Sequence, residues 1–129
     1  MTLKEISLKP LSTALQQLNK ALAQPENEFI RDSVIQRFEF TFELSWKSMQ
    51  RFLEADRPLA DTSTRTVLRE AHAQGMITSV EPWFEFQKYR NMTSHIYSEE
   101  MSKEIYVKVK AFPALCSHLL NELEQRKNR

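Results

Sequence analysis

A single glycine, Gly75, in 129 residues constrains this chain more than any motif within it. Loops that cradle phosphate use several glycines, because each position needs positive φ or a close backbone approach that a side chain would block. Neither a P-loop nor a dinucleotide fingerprint can be built with one glycine, so nucleotide chemistry of that kind must come from another protein. The same scarcity works against many short strands, whose tight turns consume glycine. Turn-forming residues gather instead near residues 23–26, 55–63 and 75–82. The long stretches between them read as helices.

Pro10 suits the first turn of a helix in which Leu11, Leu15, Leu18 and Leu22 form one apolar stripe, and Pro25 ends it. From about Asn27 to Ala55 a long helix places Ile35, Phe38, Phe42, Ser45, Met49 and Phe52 on one face, widened by Trp46 and Leu53. Thr62 and Ser63 cap a short third helix that runs through Val67, Leu68 and Ala71 to Gly75, a natural left-handed stop. Ser79, followed by Glu81 and Pro82, is expected to cap a fourth helix through Trp83, Phe86 and Tyr89 that ends near residues 95–97. Ser98, Glu99 and Glu100 repeat that signal. They open a fifth helix carrying Met101, Ile105, Val109, Phe112, Cys116, Leu119 and Leu123, in which Pro113 is expected to make a kink. The charged tail "EQRKNR", from about residue 124, is expected to fray. The expected fold is all-α, an up-and-down four-helix bundle with an additional short helix, in a single domain over 1–129.

Eighteen Lys and Arg against seventeen Asp and Glu leave no overall basic field, so any contact with RNA has to be local. The lone Cys116 cannot close an internal disulfide, and "MTLKEISLKP" lacks the apolar run of a signal peptide. No stretch is apolar enough to span a bilayer, so the expected setting is the cytoplasm, away from membrane. The residues three before His72, His95 and His118 are Arg69, Met92 and Leu115, so the Glu-x-x-His pair of bundle metal sites is absent. No metal and no cofactor are expected.

The segment "YRNMTSHIYSEE" concentrates chemistry-bearing side chains: Arg90, Asn91, His95 and Tyr97. On a continuing helix Asn91 and His95 share a face, and Arg90 and Tyr97 share the neighbouring one, so the four can surround one patch. A guanidinium holds phosphate bidentately, an imidazole moves a proton near neutral pH, and an amide orients either. These are parts for phosphodiester chemistry without a metal. The plainer reading is that Arg90 and His95 complement the C-terminal dipole of their helix, and spacing alone leaves both open. Ser94 beside His95 is not evidence of a nucleophile and its base, because adjacent helical residues diverge by about 100°, and partners elsewhere in the fold stay open.

Glu39, Glu43 and Lys47 stand four apart and are expected to pair on one helix face, the alternative being that a glutamate steadies Arg90. Phe40 cannot share a face with Phe38 and Phe42, and so marks an interface. Trp83 and Phe86 read as core, the alternative being base-stacking platforms, and His72 and His118 as surface or partly buried residues.

Arg90, His95 and Tyr97 resemble the R-x4-H-x-Y signature of the HEPN superfamily, with Asn91 at the polar position after the arginine. "IQRFEFTFELSWK", residues 35–47, resembles the second-helix signature of the nucleotidyltransferase substrate-binding proteins in that superfamily. "VLREAHAQGMI" and Trp83 fall where that family has similar stretches. The resemblance covers about Leu11 to Phe112. It implies a HEPN-like helical bundle that forms a homodimer and works beside a separately encoded minimal nucleotidyltransferase. It implies a metal-independent endoribonuclease, the toxin of a toxin-antitoxin pair. Arg90 would bind the scissile RNA phosphate, His95 would act as acid or base, and Asn91 would orient it. Tyr97 is where the nucleotidyltransferase would attach AMP to silence the toxin. The alternative is a non-catalytic subunit that presents a substrate to the nucleotidyltransferase.

Overall fold

The computed structural model describes residues 2–96 and 98–129. Six α-helices carry them: α1 (Lys9–Leu22), α2 (Glu28–Glu54), α3 (Thr64–Ala73), α4 (Glu81–Met92), α5 (Glu99–Val109) and α6 (Phe112–Lys127). Short 3₁₀ turns cover Leu3–Glu5 and Thr93–His95, and no strand occurs among the described residues. The long helix α2 is the axis, packing against α1, α3, α4, α5 and α6. The all-α bundle expected from the periodicity is the observed architecture.

The helix ends follow local chemistry. Side-chain oxygens of Asn27, Ser63 and Ser98 accept from the backbone N–H groups of Ile30, Thr66 and Met101 at 2.9, 3.3 and 3.1 Å, each satisfying a donor that the first turn leaves without a partner. At the end of α3, Gly75 takes φ 75°. The N–H of Met76 then reaches Ala71 O at 2.9 Å, and that of Gly75 reaches His72 O at 3.0 Å, which is the Schellman closure. The only glycine stands where the chain needs the left-handed conformation.

Three expectations are corrected. Ser79 does not cap α4: Val80 holds the cap position, and the Ser79 hydroxyl donates to Glu81 Oε2 at 2.9 Å. A cap at Ser79 would put Pro82 at the third helical position, where it has no N–H to offer. The fifth helix does not kink at Pro113 but ends at Val109, and α6 restarts at Phe112 with the proline in its first turn. There a missing N–H costs no helical hydrogen bond. The apolar spacing runs through the break because both helices face the same core, burying Ile105, Val109, Phe112, Cys116, Leu119 and Leu123. Lastly, the charged tail stays helical to Lys127. Arg126 Nη2 donates to Gln74 O at 2.7 Å and Lys127 Nζ to Ile6 O at 2.6 Å.

Phe112 is the hub of an aromatic core. Its ring centroid lies 5.1 Å from Phe86, 5.2 Å from Phe38, 5.7 Å from Trp83 and 6.0 Å from Phe42, the separations of edge-on and tilted aromatic packing. These contacts fix α4 against α2 and α6. Ser45, on the same inward face, returns its hydroxyl to Thr41 O at 2.7 Å and lies 3.5 Å from the Cys116 sulfur. A buried hydroxyl is thereby satisfied. Burial pushes the Cys116 thiol up to about 11, so at neutral pH it packs as a small neutral side chain. No helix among the described residues is long and apolar enough to cross a membrane.

Candidate functional site

The α4 sequence sends Trp83, Phe86 and Tyr89 into the core at three-residue steps, so the positions after Tyr89 emerge at the rim of the bundle. Tyr89 itself is buried, and its hydroxyl donates to Glu85 Oε1 at 2.9 Å; desolvation and that carboxylate hold its pKa above the usual phenol value. Arg90 is the next residue, half-buried, while Asn91 is exposed. The α-helix ends at Met92, short of the expected end near residues 95–97, because the chain tightens into a 3₁₀ turn over Thr93–His95. Thr93 assists the change: its Oγ1 donates to Arg90 O at 2.7 Å, occupying a carbonyl at the helix end. Ile96 is then extended (φ −84°, ψ 108°). Tyr97, predicted as the modification site, lies outside the described residues.

This ending decides which side chains meet. Asn91 and the exposed His95 line one groove, together with Arg65, Phe84, Gln87, Lys88, Met92 and Met101. Arg90 turns the other way, onto a hollow formed with Gln36, Glu39, Phe40 and Glu43 of α2. The expectation that all these side chains surround one patch therefore does not hold within one protomer. Adjacent helical positions diverge by about 100°, enough to send Arg90 and Asn91 to different surfaces of the same helix end.

Around Arg90 the two glutamates follow the alternative expectation, in which they steady the arginine. Arg90 Nη1 lies 3.6 Å from Glu39 Oε2, and Nε lies 3.3 Å from Glu43 Oε1. Neither contact makes a directed hydrogen bond: among the described residues Nε is buried without one, and Nη1 reaches only Thr93 Oγ1, at 3.4 Å. Charge holds the guanidinium in place while its hydrogen-bonding edge stays largely unspent. The expected pairing with Lys47 does not form among the described residues. Glu43 accepts instead from Trp46 Nε1 at 3.3 Å, and the Lys47 ammonium stands 5.9 Å from the Trp46 ring centre.

Trp83 and Phe86 are core, and His72, His118 and Ser94 are exposed. Phe40 is 62% exposed beside the Arg90 hollow. Among the described residues no three His, Cys, Asp or Glu side chains converge to hold a metal. Sequence reasoning missed two features. Arg31 is buried between Glu26 and Glu99, each at 3.1 Å, which ties the start of α2 to the start of α5. Arg65 of α3 lies over the Phe84 ring of α4, 4.0 Å from its centre. The four-residue spacing of Arg65 and Arg69 is visible in the chain, but the aromatic partner comes from another helix.

Residues 6–125 match the family model described as nucleotidyltransferase substrate binding protein like. A Haemophilus influenzae protein named "Probable ribonuclease HepT" is 38% identical over 96 residues, which are 71% of this chain. The match spans 66% of that relative's length. Among solved structures, a Haemophilus influenzae protein described as revealing the fold of a substrate-binding domain of a nucleotidyltransferase superposes with a TM-score of 0.82 at 30% identity. That likeness covers 92% of this chain and all of the other. A Thermus thermophilus crystal structure gives a TM-score of 0.80 at 28% identity, covering 88% of this chain and 98% of its own.

Proposed function

The chain belongs to the nucleotidyltransferase substrate-binding protein family of HEPN-like helical bundles, and on that footing we propose that it is a metal-independent endoribonuclease. It acts as a homodimeric toxin in the cytoplasm, and a minimal nucleotidyltransferase restrains it by attaching AMP to Tyr97. The observation that carries this reading is the end of α4, where Arg90, Asn91 and His95 stand at the bundle rim with the imidazole and amide on one groove. The relative named as a probable ribonuclease supports it.

In the reaction, His95 takes the proton from a ribose 2′-OH, whose oxygen attacks the neighbouring phosphorus. The bond to the 5′ oxygen breaks, and that oxygen leaves with a proton. Arg90 neutralises the charge that gathers on the phosphoryl oxygens, and Asn91 orients the imidazole. Silencing is a transfer in which the Tyr97 oxygen attacks the α-phosphorus of ATP, releasing pyrophosphate and a proton. The AMP phosphodiester, two residues from His95, then competes with RNA for the same cations.

Incubation with total RNA in chelator is expected to give cleavage of RNA and not DNA. Addition of the nucleotidyltransferase with ATP and Mg²⁺ is expected to place the added mass on Tyr97 and stop that cleavage. A silenced Tyr97→Phe variant, or modification confined to other residues, would remove the Tyr97 step. The second reading, a subunit that presents a substrate to the nucleotidyltransferase and cuts nothing, is favoured by the structural relative described as such a domain. It takes over if a broad RNA pool stays intact under conditions where the dimer is intact.

The dimer has its own support. Arg90 and His95 open onto different hollows, and an exposed aromatic, Phe40, borders the Arg90 hollow and an apolar groove with Pro10, Ala14 and Leu44. An apolar surface of that kind is covered in a stable assembly, and pairing two rims would bring an arginine and a histidine from different subunits to one cleft. Sedimentation is expected to give twice the chain mass, and Phe40→Asp to shift the equilibrium to monomer. A wild-type monomer that persists on concentration would contradict the composite cleft.

A further inference from the structure

The groove that holds Asn91 and His95 differs in charge from the hollow that holds Arg90. Its lining contains Arg65, Lys88 and His95 and no acidic residue, whereas Arg90 is already met by two carboxylates. Arg65 is exposed and makes no ion pair with any described residue. Its guanidinium lies over Phe84, 4.0 Å from the ring centre, with Arg69 second in line at 5.6 Å. A planar cation held on a ring keeps its edge free for a phosphate and its outer face free for a base. Lys88, one turn before Met92 on α4, adds a second positive charge on the same side as His95. Two helices, α3 and α4, thus place cations in the groove that the imidazole also lines.

We propose that Arg65, seated on Phe84 and aided by Lys88, is an RNA-binding subsite that holds a backbone phosphate flanking the bond to be cut. The inference rests on the ribonuclease reading for the identity of its ligand. It assigns the grip on the strand to α3 and the proton transfer to His95. Arg65 is a positioning residue: its loss weakens binding and leaves the chemical step of bound RNA intact. The stacked arrangement also explains why an overall charge near zero is compatible with a polyanionic substrate, since the cations that matter are gathered in one groove.

The test measures binding of a fluorescein-labelled, single-stranded 2′-O-methyl RNA, which lacks the nucleophile and so reports binding whether or not the protein cleaves. Arg65→Gln is expected to weaken binding by about 5- to 10-fold and to lower the salt slope by about 0.7, one phosphate contact on a single strand. Arg65→Lys keeps the charge but not the plane, so it should retain the slope with an intermediate affinity. Lys20→Gln, the same charge loss on the exposed side of α1, controls for net charge and should match wild type. A thermal melt of each variant checks that the fold is intact, as the exposed position of Arg65 leads one to expect. Unchanged affinity and slope in Arg65→Gln would overturn the subsite even if wild type cleaves RNA, and so would absence of RNA binding by wild type. Conversely, wild type that binds through Arg65 yet cuts no RNA would remove the ribonuclease reading and keep Arg65 as a contact to an RNA phosphate. Variants that bind RNA normally but lose the nucleotidyltransferase would assign the groove to protein docking, against the proposal.

Discussion

Replacing His95 by alanine is expected to lower the rate of RNA cleavage by about 10²- to 10⁴-fold, the range for loss of a general acid or base, while the core stays folded. His95 is exposed at the end of a 3₁₀ turn outside the aromatic core, so truncation removes no core packing, and a thermal melt separates a change in fold from a change in chemistry. Arg90→Lys is its counterpart. The ammonium keeps the charge between Glu39 and Glu43 but lacks the planar fork that grips phosphate. Its rate is therefore expected to fall as well, with RNA binding at the Arg65 groove retained. The readout is single-turnover cleavage by the dimer, beside a thermal melt. An alanine variant that cleaves within a few-fold of wild type would take His95 out of the mechanism, and with it the transfer of family roles onto this segment.

Replacing Phe112 by alanine is expected to cost about 3–5 kcal/mol of folding stability, as large-to-small aromatic changes in packed cores do. Four other rings, from α2 and α4, lie within 6.0 Å of its centroid or at that distance. None can close the space without breaking its own contacts. Such a loss is a large share of the roughly 5–15 kcal/mol that holds a domain of this kind together, and it should lower the melting temperature by more than about 10 °C. Urea titration with a shared slope would give the difference directly. A loss under about 1 kcal/mol would mean that the core collapses around the site. The change also bears on function, because Phe112 holds Trp83 and Phe86, and these set the angle at which α4 delivers Arg90 and Asn91 to the rim. Cleavage at a temperature where the variant remains folded should therefore fall by more than any loss of folded fraction explains.

Much of the fold was legible because it depends on spacing and on chemistry between neighbours in the chain. A leucine stripe at three- and four-residue steps has one inward solution on a helix, and α1 takes it. Asn27, Ser63 and Ser98 act on donors three residues away, so no other part of the molecule is needed to read them. Gly75 is the same case, since only the local backbone decides whether positive φ is required. Pro113 shows where local reading becomes ambiguous. A proline in an apolar repeat either bends a helix or begins one, and the core packing on both sides of residues 110–111 selected the second. The family motifs were legible as well, because they are defined by residue identity at fixed steps.

What the sequence determined by itself is the helical class, the inward faces of the helices and the residue types at the α4 terminus. All of these follow from interactions that span a few residues. The tertiary structure alone decided which side chains meet across helices: Glu39 and Glu43 with Arg90 and not Lys47, Arg65 with Phe84, and Arg31 with Glu99 across 68 positions. It also decided what Arg90 and His95 open onto, because α2 supplies the walls of the Arg90 hollow while α3 and α5 contribute Arg65 and Met101 to the His95 groove. Long flexible side chains choose partners by proximity and desolvation in the assembled core. Those distances exist only once the helices have packed.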